Sequence, residues 1–190
     1  MRSTRHAGAI ALASLLLVAC GDQDAPTAAT PGSPLLAAVE AGGKVQGVVN
    51  MLDACDPATF NAVLGPGTCV GSGTVTFEAF IAELAKRHKV STWRFDPRQT
   101  TIRVGQTLTA PNLGGEAHTF TEVEEFGGGI VPELNDLAKT PVVAPECMAL
   151  TGADFIAPGQ AFSEVEDETG VERYQCCLHP WMRAVVVVRK

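Results

Sequence analysis

Residues able to do metal chemistry crowd into one short stretch, Tyr174-Gln175-Cys176-Cys177-Leu178-His179-Pro180-Trp181-Met182. It places a thiol, an imidazole and a thioether at i, i+3 and i+6. The runs on either side read as strands, so this spacing predicts a tight inter-strand loop that gathers the three groups. Together they form a soft to borderline-soft ligand set, better suited to copper than to magnesium, calcium or manganese. A trigonal His2Cys site with a weak axial Met needs a second imidazole. His118 supplies it at the start of a predicted strand, after the turn-rich Asn112-Leu113-Gly114-Gly115-Glu116-Ala117.

Other chemistries lack their residues. Covalent haem needs Cys-x-x-Cys-His and thioredoxin-like exchange needs Cys-x-x-Cys, and the chain has neither. A dinuclear copper centre needs two loop cysteines on one face, whereas adjacent strand residues face opposite sides. A Cys/His zinc site stays open, although Met is a poor zinc ligand. So does a purely structural reading: a buried His, a core Met and a half-cystine.

The order strand, Gly, strand, Asn112, His118, a long gap, then Cys176-x-x-His179-Pro180-x-Met182 before the last strand resembles the cupredoxins. The short Cys-x-x-His-Pro-x-Met spacing is most like that of the amicyanins. The resemblance spans residues 93–190. It implies a Greek-key β-sandwich in which His118, Cys176, His179 and Met182 bind one copper ion that cycles between Cu(I) and Cu(II). Between the paired cysteines, family spacing and strand parity both select Cys176, which shares a face with Tyr174. Two positions depart from the family pattern: Thr119 stands where Asn is frequent, and Cys177 where Ser or Thr is. Both brace the loop and tune the Cu–S bond. Trp181 reads equally as an exposed docking aromatic and as a packing residue covering the metal. The resemblance also implies a redox protein partner, no small-molecule substrate and no catalysis, because a fully ligated copper leaves no open position.

Several elements must position these groups. Val45, Val48 and Val49 start a first strand that runs into Met51-Leu52, and a Pro/Gly-rich loop with Cys55 and Cys69 follows. Thr76 is placed to cap a helix whose Phe77, Phe80, Ile81 and Leu84 repeat at helical spacing. From Ser91 the period becomes that of strands: 93–95, 101–104, 107–110, 118–123, 161–165, 172–176 and 184–188, with a short helix expected over 132–138. Short strands with Gly/Pro turns predict a mainly β, antiparallel sandwich or barrel. Residues 127–158 form an unusual insert between His118 and Cys176. Trp93 reads as core, and His88 as a helix-terminal cation and not a ligand.

The chain of 190 residues and 19.9 kDa suits one domain with appendages. Arg2, Arg5 and the apolar run 7–19 read as an export signal, too short to span a bilayer. It ends in Leu17-Val18-Ala19-Cys20, which resembles a bacterial lipobox with Cys20 as the lipidated mature N-terminus. The organisation expected is therefore a signal peptide over 1–19, a lipid-anchored tether over 20–43, an N-terminal extension over 44–90 and the copper domain over 91–190. The protein is then periplasmic or held at the cell envelope. Loss of Arg2 and Arg5 takes the formal charge from −7 to −9. Without a Lys/Arg cluster, nucleic acid is excluded as a partner. The acidic residues Glu122, Glu124, Glu125, Glu164, Glu166, Asp167 and Glu168 read either as solubilising charge or as a face for a basic partner.

Six cysteines then divide. Cys20 takes lipid and Cys176 takes metal. In an oxidising compartment the other four pair, and elimination with opposite-face parity predicts Cys55–Cys69 and Cys147–Cys177. The principal reading is a tethered, single-electron type 1 copper carrier. The alternatives are a copper chaperone, buffer or sensor without an electron-transfer role, and an interaction module that holds no metal.

Overall fold

The computed structural model describes residues 45–190. The expected signal peptide, Cys20 and the tether lie outside the described residues. Nine strands and three α-helices follow in chain order among them: β1 Val45–Val48, β2 Asn50–Leu52, α1 Pro57–Leu64, α2 Phe77–Arg87, β3 Arg94–Asp96, β4 Gln99–Arg103, β5 Thr107–Pro111, β6 Thr121–Glu122, α3 Pro132–Ala138, β7 Ala161–Val165, β8 Gly170–Gln175 and β9 Arg183–Arg189. The fold is mainly β. One sheet runs β4-β9-β8-β6, a second runs β1-β5-β7, and β2 pairs with β3.

Strand direction departs from the antiparallel expectation. β8–β9 and β5–β7 are antiparallel, but β1–β5 and β4–β9 are parallel. Alternation of apolar and polar residues fixes which face is buried and carries no information about direction. Both parallel pairs join strands distant in sequence, where no hairpin turn dictates orientation.

β9 shows the alternation well: Ala184, Val186 and Val188 are buried, and the residues between them are half-buried. Those three side chains face one continuous core with Leu108, Ala110, Ile102, Phe95 and Tyr174. Val49 and Met51 from the first strands and Phe60, Phe80 and Leu84 from α1 and α2 join the same core. Phe120 stacks on Tyr174 at 4.3 Å and 12°. On the other face of β8, Cys177 joins a separate small cluster with Val123, Ala144 and Cys147.

Thr76 caps α2 as expected, its hydroxyl accepting from the Ala79 amide at 3.2 Å. α1 was not expected, since its segment reads as loop. Its signals are nevertheless present: Asp56 accepts from the Thr59 amide at 2.8 Å, Pro57 opens the first turn, and Gly65 ends it at φ 108°. The strand expected over 118–123 shortens to Thr121–Glu122, because the His118 backbone instead exchanges hydrogen bonds of 3.1 and 2.7 Å with Ile156. Both expected disulfides form, Cys55–Cys69 and Cys147–Cys177.

Candidate metal centre

β8 ends at Gln175 and β9 begins at Arg183, so residues 176–182 close the hairpin between them. Two backbone bonds tighten this loop: Cys176 N–H donates to the Met182 carbonyl at 3.0 Å, and Met182 N–H to the His179 carbonyl at 2.8 Å. Cys176 and Met182 are fully buried as a result, and His179 is 5% exposed. His118 arrives from the opposite direction, held by its bridge to Ile156 at the end of the insert.

The side chains converge. Cys176 Sγ lies 3.8 Å from His118 Nδ1 and 3.8 Å from His179 Nδ1. The three donor atoms fall within 4.8 Å of one another. Cys176 is the one free cysteine among the described residues. Burial opposes ionisation of its thiol, but contacts with His118 and His179 outweigh it and hold the thiol well below its usual range. The Thr119 backbone N–H also points at the sulfur, at 3.4 Å.

Each imidazole has a carboxylate on its far nitrogen. His118 Nε2 lies 2.9 Å from Asp53 Oδ2, and both side chains are buried. Asp53 in turn accepts from the backbone N–H groups of Cys55, Gly115 and Glu116 at 2.9–3.1 Å. Burial works against its charge, yet His118 and these amides bring its carboxyl down to about 2. Against the same burial, Asp53 and Cys176 raise His118 to about 9. His179 Nε2 lies 3.8 Å from Glu116 Oε2, which accepts the Trp93 indole N–H at 2.7 Å. Burial pushes the Glu116 carboxyl up, and His179 and the indole pull against that rise.

The remaining expected residues are placed as follows. Thr119 Oγ1 accepts from the Cys177 N–H at 2.8 Å and from the Thr121 hydroxyl at 3.0 Å, bracing the loop across to β6. Asn112, fully buried, donates to the carbonyls of Glu116 and Ile156 and accepts from the Gly114 N–H, which fixes the turn before His118. Trp181 is half-buried between Phe80 at 5.9 Å and His179 at 5.5 Å, and its buried Nε1 makes no hydrogen bond. Trp93 is core. His88 ends α2 and contacts the Leu137 carbonyl. Asp53 and Glu116 were missed from sequence. A second grouping, Asp53, Cys55 and Glu116, offers only carboxylates, because the Cys55 sulfur is spent in its disulfide.

In structure the chain is similar to cupredoxins. A purple cupredoxin from Nitrosopumilus maritimus aligns with 75% of this chain and 98% of its own at 17% identity and a TM-score of 0.42. A reduced-state amicyanin variant aligns with 57% of this chain and 89% of its own at 25% identity and a TM-score of 0.36. A reduced Cu(I) amicyanin variant at pH 4 aligns with 53% of this chain and 77% of its own at 24% identity and a TM-score of 0.34. No protein-family model and no curated protein matches the chain.

Proposed function

We propose that this protein is an exported, membrane-tethered type 1 copper protein that passes single electrons between redox partners. One observation carries the reading: two imidazole Nδ1 atoms face one buried, unpaired cysteine sulfur at 3.8 Å each. The donor chemistry fits copper, with His118, Cys176 and His179 as principal ligands and Met182 on the same loop as the weak thioether. Copper supplies the one-electron step between its two oxidation states.

The chain's own residues do the rest. Asp53 orients His118 so that Nδ1 faces the sulfur. The Thr119 amide and the two loop hydrogen bonds fix the sulfur and the loop. Burial excludes water and limits rearrangement on electron gain or loss. Loading displaces a proton wherever His118 carries one, which makes affinity pH-dependent.

Cyclic voltammetry of the copper-loaded chain tests the role. A reversible one-electron wave is expected. Stoichiometric copper without any such wave fits a chaperone or buffer and contradicts electron transfer. The tether is tested apart, by fractionating cells that express Cys20→Ser: the protein is expected to leave the membrane fraction, and retention contradicts the lipid anchor.

A further inference from the structure

A cavity of about 600 Å³ has His179 in its wall, a size inside the roughly 300–1,000 Å³ range of small-molecule sites. Phe60 of α1, Phe77 and Phe80 of α2 and Leu134 of α3 supply much of its lining. Among its polar lining groups, Glu116 Oε2 and His179 Nε2 lie 3.8 Å apart. Glu133 is the other carboxylate on the lining, and no Lys or Arg lines it.

These features restrict the occupant. Two carboxylates without a Lys or Arg to offset them disfavour an anion. A cation entering a mostly carbon-walled cavity loses hydration that Glu116, already accepting from Trp93, replaces poorly, and the second carboxylate, Glu133, is itself exposed to water. A neutral O–H donor needs only one acceptor. Phe60, Phe77 and Phe80 all stand on the lining, and aromatic side chains pack well against a planar aromatic body.

We infer that this cavity binds a small neutral phenol bearing a short apolar chain, its ring among the helices and its hydroxyl directed at Glu116 beside His179. The sequence reading expects no small-molecule substrate, and the cavity is the observation that argues otherwise. Binding rests on these residues alone. That the occupant sits at the electron-exchange edge of the site rests on the copper reading. The helices that build the cavity also crowd His179, so a small molecule reaches it more readily than a flat protein surface does.

The test is titration of the 15N-labelled full chain with 4-propylphenol, followed by the amide shifts of Phe80, Leu134, Leu178 and His179. Saturable shifts at these amides are expected. Removal of the donor in 4-propylanisole is expected to weaken binding about tenfold, and 4-propylbenzoate is expected to produce no saturable shift. Ala157 is exposed on the cavity rim, so Ala157→Trp is expected to block the probe while the protein stays folded. Leu134→Trp enlarges a second lining residue, on α3, and should do the same. The inference is overturned by absence of saturable shifts, by anisole or phenethylammonium binding as tightly as the phenol, or by unchanged binding in both tryptophan variants. Copper loading is read separately, from the visible thiolate band. A band without phenol binding sinks the cavity inference alone, and phenol binding without a band sinks the copper reading alone.

Discussion

At the scale of single residues, the site is a buried cysteine sulfur between two imidazoles, one of them held by a buried carboxylate. Asp53→Ala leaves the buried His118 Nε2 without its acceptor. The expected outcome is a loss of about 1–3 kcal/mol in denaturant unfolding of the metal-free chain. Copper affinity is expected to fall about 10–100-fold in competition with a chelator. Asp53→Asn keeps one acceptor oxygen but sets its NH2 against donors that both carboxylate oxygens serve, so it should recover only part of the affinity, and equal affinity in the wild type and the alanine variant contradicts the assigned role. The convergence of His118, Cys176 and His179 was legible because Cys176, His179 and Met182 crowd into seven residues of one loop, where spacing is itself geometry. Asp53 was not legible. It lies 65 residues from His118, and a lone aspartate in a loop carries no spacing signature. Glu116 stands two residues before His118 and reads as surface charge until Trp93 is seen to donate to it.

At the scale of elements, the strands before and after the site were legible from alternation, and α2 from its apolar period and its cap. α1 was hidden because Pro and Gly at its ends read as loop composition, although both belong to helix boundaries. The first segments meet the metal-site turn at Gly115, where an added Cβ would stand 2.6 Å from the Gly71 nitrogen and 2.7 Å from Cys55 Sγ. Neither neighbour is a flexible side-chain end, so Gly115→Ala is expected to cost about 1–3 kcal/mol. A thermal midpoint equal to that of the wild type contradicts the close approach.

The residue just after β7 and the strand β8 hold another testable feature. Tyr174 Oη lies 3.4 Å from Glu166 and 3.2 Å from Glu172. Burial first, then Glu172, raises the Glu166 carboxyl to about 7. A carboxyl raised on folding contributes stability that is full below its ordinary value near 4.5 and is lost as pH rises through about 7. Glu166→Gln is therefore expected to be more stable than the wild type at pH 8, by about 1 kcal/mol or ~2–4 °C in Tm, with the difference vanishing near pH 4. A variant that is less stable at pH 8 contradicts this origin of the shift.

At the scale of the whole described molecule, residues 45–90 share one hydrophobic core with the strands β8 and β9 that flank the Cys176–Met182 loop. The extension thus contributes Asp53 to the site and two helices to the cavity, roles that composition alone did not reveal. The pairing of the two disulfides was legible because strand parity sets Cys177 apart from Cys176, which leaves Cys147 as its partner and Cys55 with Cys69. Cys55→Ala with Cys69→Ala removes a cross-link over 14 residues, at an expected cost of about 3 kcal/mol. Loss of less than about 1 kcal/mol in equilibrium unfolding contradicts a structural role for that bridge.

The central claim is that Cys176 is a thiolate ligand to copper, and the visible absorption spectrum of the copper-loaded full chain tests it most directly. An intense thiolate-to-copper band is expected in the wild type and is expected to vanish in Cys176→Ala while the protein remains folded. A wild-type chain carrying stoichiometric copper with no such band contradicts the account.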